Sequence, residues 1–232
     1  GVVQRGLFPI NLYANDYAEN YPSERRELDI KERVNAFAKE MGLSKKLEVY
    51  FGPTSLLAQA EGCKYFGGRV GIIIDSSFHL IDKNAQNFIL KHEISHILKN
   101  DLVAVHALPA ISAAIMGLAT SFLIPNSPMS ISAVGTTAYV ATLCFFSSNR
   151  EFLADENALK YCTNEEKKAA IIFFFIQKIA RKFLKKEQSK GSLISKITAK
   201  FSTEEGECLM DVLHPSHTSR IKQIINSIAE EE

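Results

Sequence analysis

The sequence predicts an α+β fold, mainly helical, with a small β-sheet and an apolar helical hairpin. Three observations carry that expectation. Ile30, Val34, Phe37 and Met41 recur at three- and four-residue steps, the spacing of a helix buried along one face. Val70-Gly71-Ile72-Ile73-Ile74 is instead a β-branched run, the mark of a strand. Residues 102–149 contain no Asp, Glu, Lys or Arg, so this block is made for apolar surroundings.

The elements follow in order. Pro9, Asn11, Asn15, Asn20 and Pro22 break any period in residues 1–29, which read as an irregular lead-in. Residues 1–10 are too short for a secretory leader. A helix is expected over 29–42, stopped by Gly42. Leu47, Val49 and Phe51 alternate, Pro53 ends that run, and Gly67-Gly68 makes a turn before Val70–Ile74. This gives a sheet of about three strands. Residues 83–100 form a deeply buried helix. Two apolar stretches, Leu102–Ile124 and Met129–Phe146, flank a turn at Asn126-Ser127-Pro128. Helices are expected over 149–162 and 164–187, with Asn164 as the N-cap of the second. A last helix covers 215–231.

Composition limits the function classes. A chain of 232 residues with 46% hydrophobic and 23% charged residues is globular, which excludes a disordered or low-complexity protein. One domain is the expected organisation. The balance of 27 Lys plus Arg against 26 Asp plus Glu lacks the basic excess of a nucleic-acid binder. Cys63, Cys144, Cys162 and Cys208 form no C-x-x-C pair, so they read as free thiols in a reducing compartment rather than as metal ligands or a disulfide frame.

The chemistry lies in His92-Glu93-Ile94-Ser95-His96, an H-E-x-x-H. Residues four apart share a helix face, so His92 and His96 can both point at one metal ion. Glu93 sits beside them, placed to take a proton from a water that zinc would acidify. Two histidines leave such a site short of a protein ligand. Glu151-Phe152-Leu153-Ala154-Asp155 supplies a candidate: Glu151 completes a His2Glu set, and Asp155, one turn on, faces the back of a ligating histidine. The bland alternatives are a helix whose histidines only hydrogen-bond and an exposed acidic face. His79, His106 and His217 read as structural or surface residues.

Taken together, His92–His96, Glu151-x-x-Ala-Asp155 and His214-Pro215-x-x-x-x-Arg220 resemble the HtpX, CAAX prenyl protease and Oma-type zinc metallopeptidases, which are gluzincins. The resemblance runs from about residue 30 to the C-terminus. Asp101, five residues after His96, fits the usual continuation of the motif helix. The resemblance implies a zincin-like metallopeptidase domain spanning residues 1–232, with an apolar insertion at 102–148. It implies Zn2+ held by His92, His96 and Glu151, Glu93 as general base, and Asp155 behind the ligands. His214 and Arg220 are similar to a pair held close to the metal, where the histidine stabilises an oxyanion or closes the open zinc position. Polypeptide is the implied substrate, misfolded or membrane proteins its implied class. The chain departs from the family at Leu57-Ala58-Gln59-Ala60, where an Asn-Ala-Phe-type edge strand is usual, and it lacks the further apolar spans of a prenyl protease chamber. The substrate strand is expected at an edge formed by Val70–Ile74.

The uncharged block is read as a transmembrane hairpin, because 48 residues without a formal charge are hard to bury in a domain this small. The alternatives are a pair of buried helices in a soluble protein and a pair that dips into the membrane. Both stretches approach the length that crosses a hydrocarbon core of about 30 Å, at about 1.5 Å rise per residue. On the membrane reading Lys91, Lys99 and Arg150 flank the spans on one face, which is then cytoplasmic. Two rivals to a peptidase are a catalytically silent zincin serving as a membrane scaffold and a metal-free helical membrane protein.

Overall fold

The computed structural model describes residues 23–52, 58–62, 70–99, 101–124, 127–188 and 215–231, with Lys190 and Thr203. Helix α1 (Ser23–Glu40) starts six residues before the expected point, in a charged turn that carries no apolar period. It buries Ile30, Val34 and Ala38, and Met41 is buried just past its end. Gly42 ends it at φ +90°, while Leu43 N–H reaches back to the Ala38 carbonyl at 2.8 Å and Gly42 N–H to Lys39 at 3.1 Å. That left-handed cap favours glycine.

Three strands follow: β1 (Glu48–Phe51), β2 (Ala58–Gly62) and β3 (Val70–Ile74). Their order is β1-β3-β2, with β1 parallel and β2 antiparallel to β3. The expectation that Val70–Ile74 forms an edge is therefore corrected, because β3 is the central strand. Its near-continuous apolar run fits burial from both sides, with Val70, Ile72 and Ile74 in the core. Gly71 lies so close to β1 that a Cβ would sit 2.4 Å from the Glu48 carbonyl oxygen.

A 3-10 turn (Ser76–Leu80) leads to α2 (Lys83–Lys99), the helix of the H-E-x-x-H. The Asp82 carboxylate accepts from Asn84 and Ala85 N–H at 2.9 and 3.2 Å and so caps it. The helix is buried on two sides. Leu90, Ile94 and Ile97 join a core with α1 and the sheet. Ala85 and Phe88 join a second core with the later helices. Burial on both sides leaves the two histidines little freedom to turn away.

Helices α3 (Asp101–Leu123) and α4 (Pro128–Leu159) form the hairpin and pack along each other. A Cβ at Gly135 would meet the Ala113 carbonyl at 3.4 Å, and Thr142 Oγ1 bonds Ser112 Oγ at 3.0 Å. Small and hydroxyl residues thus line the contact, while Phe122, Met129 and Phe145 are exposed outside it. Among the described residues, α4 alone is long and apolar enough to cross a membrane, and Ala107–Leu123 is a shorter apolar helix. The two separate segments expected over 129–146 and 149–162 are one unbroken helix. Ser147-Ser148-Asn149-Arg150 breaks the apolar pattern without breaking the backbone.

Helix α5 (Asn164–Gln188) is capped by Thr163 rather than by Asn164. Glu166 N–H approaches Thr163 Oγ1 at 3.3 Å, and Thr163 N–H donates to the Glu166 carboxylate at 2.9 Å, a reciprocal capping box. Helix α6 (His217–Ala229) starts behind Ser216, whose hydroxyl accepts from Ser219 N–H.

Candidate active site

The site forms where α2, α4 and α6 meet. His92 and His96 project from adjacent turns of α2, with their Nε2 atoms 3.0 Å apart. Glu151, on α4, places one carboxylate oxygen 3.3 Å from His92 Nε2 and the other 3.2 Å from His96 Nε2. These three residues form a group that could hold a metal ion. The separations test the fit. A tetrahedral ion with bonds of about 2.0–2.1 Å sets its ligands about 3.3 Å apart. The histidine–histidine distance and the carboxylate contact to each histidine lie near that edge length, the two contacts falling on different Glu151 oxygens. One ligand atom from each residue comes within 4.8 Å of the others. The donors are the nitrogen and oxygen types a divalent transition metal takes.

Glu93 is buried on α2 beside His92. Asp155, one turn beyond Glu151 on α4, is fully buried and lies 2.8 Å from His92 Nδ1. Arg220, from the first turn of α6, grips the same carboxylate with two donors: Nε to Oδ2 and Nη2 to Oδ1, both at 2.6 Å. Its guanidinium stacks on Phe174 at 4.3 Å from the ring centroid, and its closest approach to Glu151 is 4.0 Å. Arg220 therefore reaches the ligand group mainly through Asp155. His214 lies outside the described residues, as do Cys63, Cys208 and Gly67-Gly68.

Charge and burial compete here. Burial alone would lower the pKa of His92, but the Asp155 and Glu151 carboxylates outweigh it and raise the value above 6.5. Burial would likewise raise Asp155, yet Arg220 and His92 hold it below the usual carboxylate range. Burial also acts against the Arg220 charge, and Asp155 and Glu151 outweigh it and raise its pKa. All three groups favour their ionised forms in the metal-free protein.

A buried polar layer supports α2 from behind. Lys91 is 3% exposed and bonds Glu166 at 2.7 Å and the Tyr161 carbonyl at 2.7 Å. Asn87 Nδ2 donates to Glu166 at 2.8 Å. This layer fastens the α4–α5 turn to the motif helix. The expectation that Lys91 flanks the hairpin is therefore corrected, because its ammonium is buried against Glu166. Its setting among Leu90, Ile94 and the ligands signals burial in hindsight. His217 also departs from its surface reading: it is buried and stacks on Phe174, with centroids 5.6 Å apart. Its signal was the three-residue step to Arg220, which puts both on one face of α6. Burial pushes the Cys162 thiol up to about 12, which fits an inert thiol.

Comparison with curated proteins and with solved structures finds no match for the chain. A sequence model of peptidase family M48, by contrast, matches residues 23–228, a span running from α1 into α6 and holding every described residue of the site. The chain therefore belongs to peptidase family M48 and is a metallopeptidase by family.

Proposed function

We propose that this protein is a zinc-dependent endopeptidase, a single domain anchored in a membrane by the α3–α4 hairpin, with its active site on the cytoplasmic face. The observation that carries the reading is the convergence of His92, His96 and Glu151, whose ligand atoms, one from each, lie within 4.8 Å of one another. In it, His92, His96 and Glu151 hold the zinc ion. A zinc ion held there would supply Lewis-acid chemistry toward the scissile carbonyl and would lower the pKa of the attacking water. Glu93 takes the proton from that water and passes it to the leaving amine. Asp155 accepts the His92 Nδ1–H, which fixes the tautomer that leaves Nε2 free to ligate. Arg220 keeps Asp155 ionised. His214 is proposed, from the resemblance, to stabilise the oxyanion or to latch the site.

Substrate is proposed to lie extended along β2, the edge strand beside α2, rather than along β3. Misfolded or membrane polypeptides in quality control are the proposed substrate class. The hairpin supports the membrane reading by its exposed large apolar residues and by its small and hydroxyl residues at the helix contact. Lys99 and Arg150 remain as flanking cations.

The test measures zinc content and cleavage of an unfolded protein for wild type, His96→Ala and Glu93→Gln. Stoichiometric zinc is expected in wild type and Glu93→Gln and not in His96→Ala. Cleavage should fall about 10²–10⁴-fold in Glu93→Gln, the size of a general-base contribution. Zinc without Glu93-dependent cleavage would make the protein a silent scaffold. No zinc in wild type supplied with the metal would end the reading.

A further inference from the structure

Helix α5 is turned the wrong way out for a surface helix in water. Its inner side supplies Ala170, Phe173 and Phe174 to the second core. Its opposite side is also apolar: Ile172, Phe175, Ile176, Ile179 and Phe183 are all exposed, Ile172 at 60% and Phe183 at 64%. At 100° per residue these five fall within an arc of about 100°, one continuous stripe along the helix. Beside the stripe runs a row of cations four residues apart, Lys178, Lys182 and Lys186. Between Ile172 and Gln188 there are five basic residues, and Glu187 is the lone acidic one.

We infer that this face lies in the headgroup–acyl boundary of an anionic lipid surface, making α5 a second membrane contact besides the hairpin. The inference rests on the membrane reading proposed above. An apolar stripe rimmed by lysines is the composition of a helix lying in the plane of an interface. The stripe enters the acyl edge while the stems of Lys182 and Lys186 snorkel to the phosphates and Lys178 donates to Thr218 Oγ1 at 2.7 Å. A second copy of this chain fits less well. An antiparallel two-fold contact through this face would bring like-charged lysine rows together along one side of the shared stripe.

The chain contains no tryptophan, so a single introduced one reports from a known place. The full chain is reconstituted in vesicles whose lipids carry brominated acyl chains, with anionic or zwitterionic headgroups. Phe175→Trp and Phe183→Trp report on α5, Phe145→Trp on the hairpin, and Lys160→Trp on the exposed α4–α5 turn. Both α5 reporters should show blue-shifted emission and lose most of it to bromine in anionic vesicles, with less loss in zwitterionic ones. Lys160→Trp should be unaffected. Adding Lys182→Gln and Lys186→Gln to Phe175→Trp should abolish the headgroup preference. Preference retained without those lysines would refute the electrostatic assignment. Unquenched α5 reporters beside a quenched Phe145→Trp would overturn the inference and leave the hairpin reading standing. Blue-shifted but unquenched emission would mean that protein covers the face, and would overturn it too. If Phe145→Trp is also unquenched, both readings fall.

Discussion

Asp155 joins two largely buried groups, the His92 imidazole and the Arg220 guanidinium. Its carboxylate is fully buried, receives two hydrogen bonds from Arg220 and lies 2.8 Å from His92 Nδ1. Asp155→Asn keeps the shape but removes the charge that orients the imidazole and pairs with the guanidinium. Metal affinity should fall about 10–100-fold, read by competition with a chelating dye. The metal-free protein should lose about 3–5 kcal/mol in denaturant unfolding, because Arg220 then stays buried without its counter-ion. Loss of affinity with no loss of stability would show that Arg220 escapes to solvent. The positions of His92, His96, Glu151 and Asp155 were legible because helical spacing alone ties each pair to one face. The grip of Arg220 on Asp155 was not, since 65 residues separate them and only packing brings them together. Lys91 misled for a related reason: lysine is charged in sequence, and only the buried Glu166 explains why it sits inside.

At the scale of elements, the sheet depends on a missing side chain. Gly71→Ala would drive a Cβ into the Glu48 carbonyl, backbone against backbone, so neither partner can rotate aside. It should separate β1 from β3 and cost about 1–3 kcal/mol, measured as a lower denaturation midpoint with zinc retained until unfolding. An unchanged midpoint would show that the two strands part without cost. The presence of the strands was readable from Val70–Ile74 and from the alternation at 47–51. Their order was not, because placing β3 between β1 and β2 depends on pairing between distant segments. Helix limits failed where two signals competed. Thr163 and Asn164 are both good caps, and the reciprocal Glu166 bond selects the former.

Over the whole molecule, folding, proton uptake and metal binding are linked through His92. Its pKa in the folded, metal-free chain is raised above 6.5, burial opposing and Asp155 and Glu151 prevailing. A raised folded pKa gives stability that is full below about pH 6.5 and is lost as pH rises through the folded value. Metal needs the neutral imidazole, so its stabilising effect runs the other way. The Tm of chelated protein should therefore fall with rising pH across that window, while the gain in Tm on adding zinc should grow. A zinc gain that shrinks with rising pH would contradict the assignment of His92 as a ligand. The hairpin was legible as an uncharged block, but its continuity with the ligand helix was not, because Asn149-Arg150 looks like a boundary. That continuity has a mechanical result. Glu151 stands five residues beyond Phe146 on the same rod, about 7.5 Å along it, with no joint between. On the proposed membrane reading, α4 would act as a lever: a change in lipid thickness that tilted the span would swing Glu151 against the two histidines on α2, coupling membrane strain to the grip on a metal through one rigid piece.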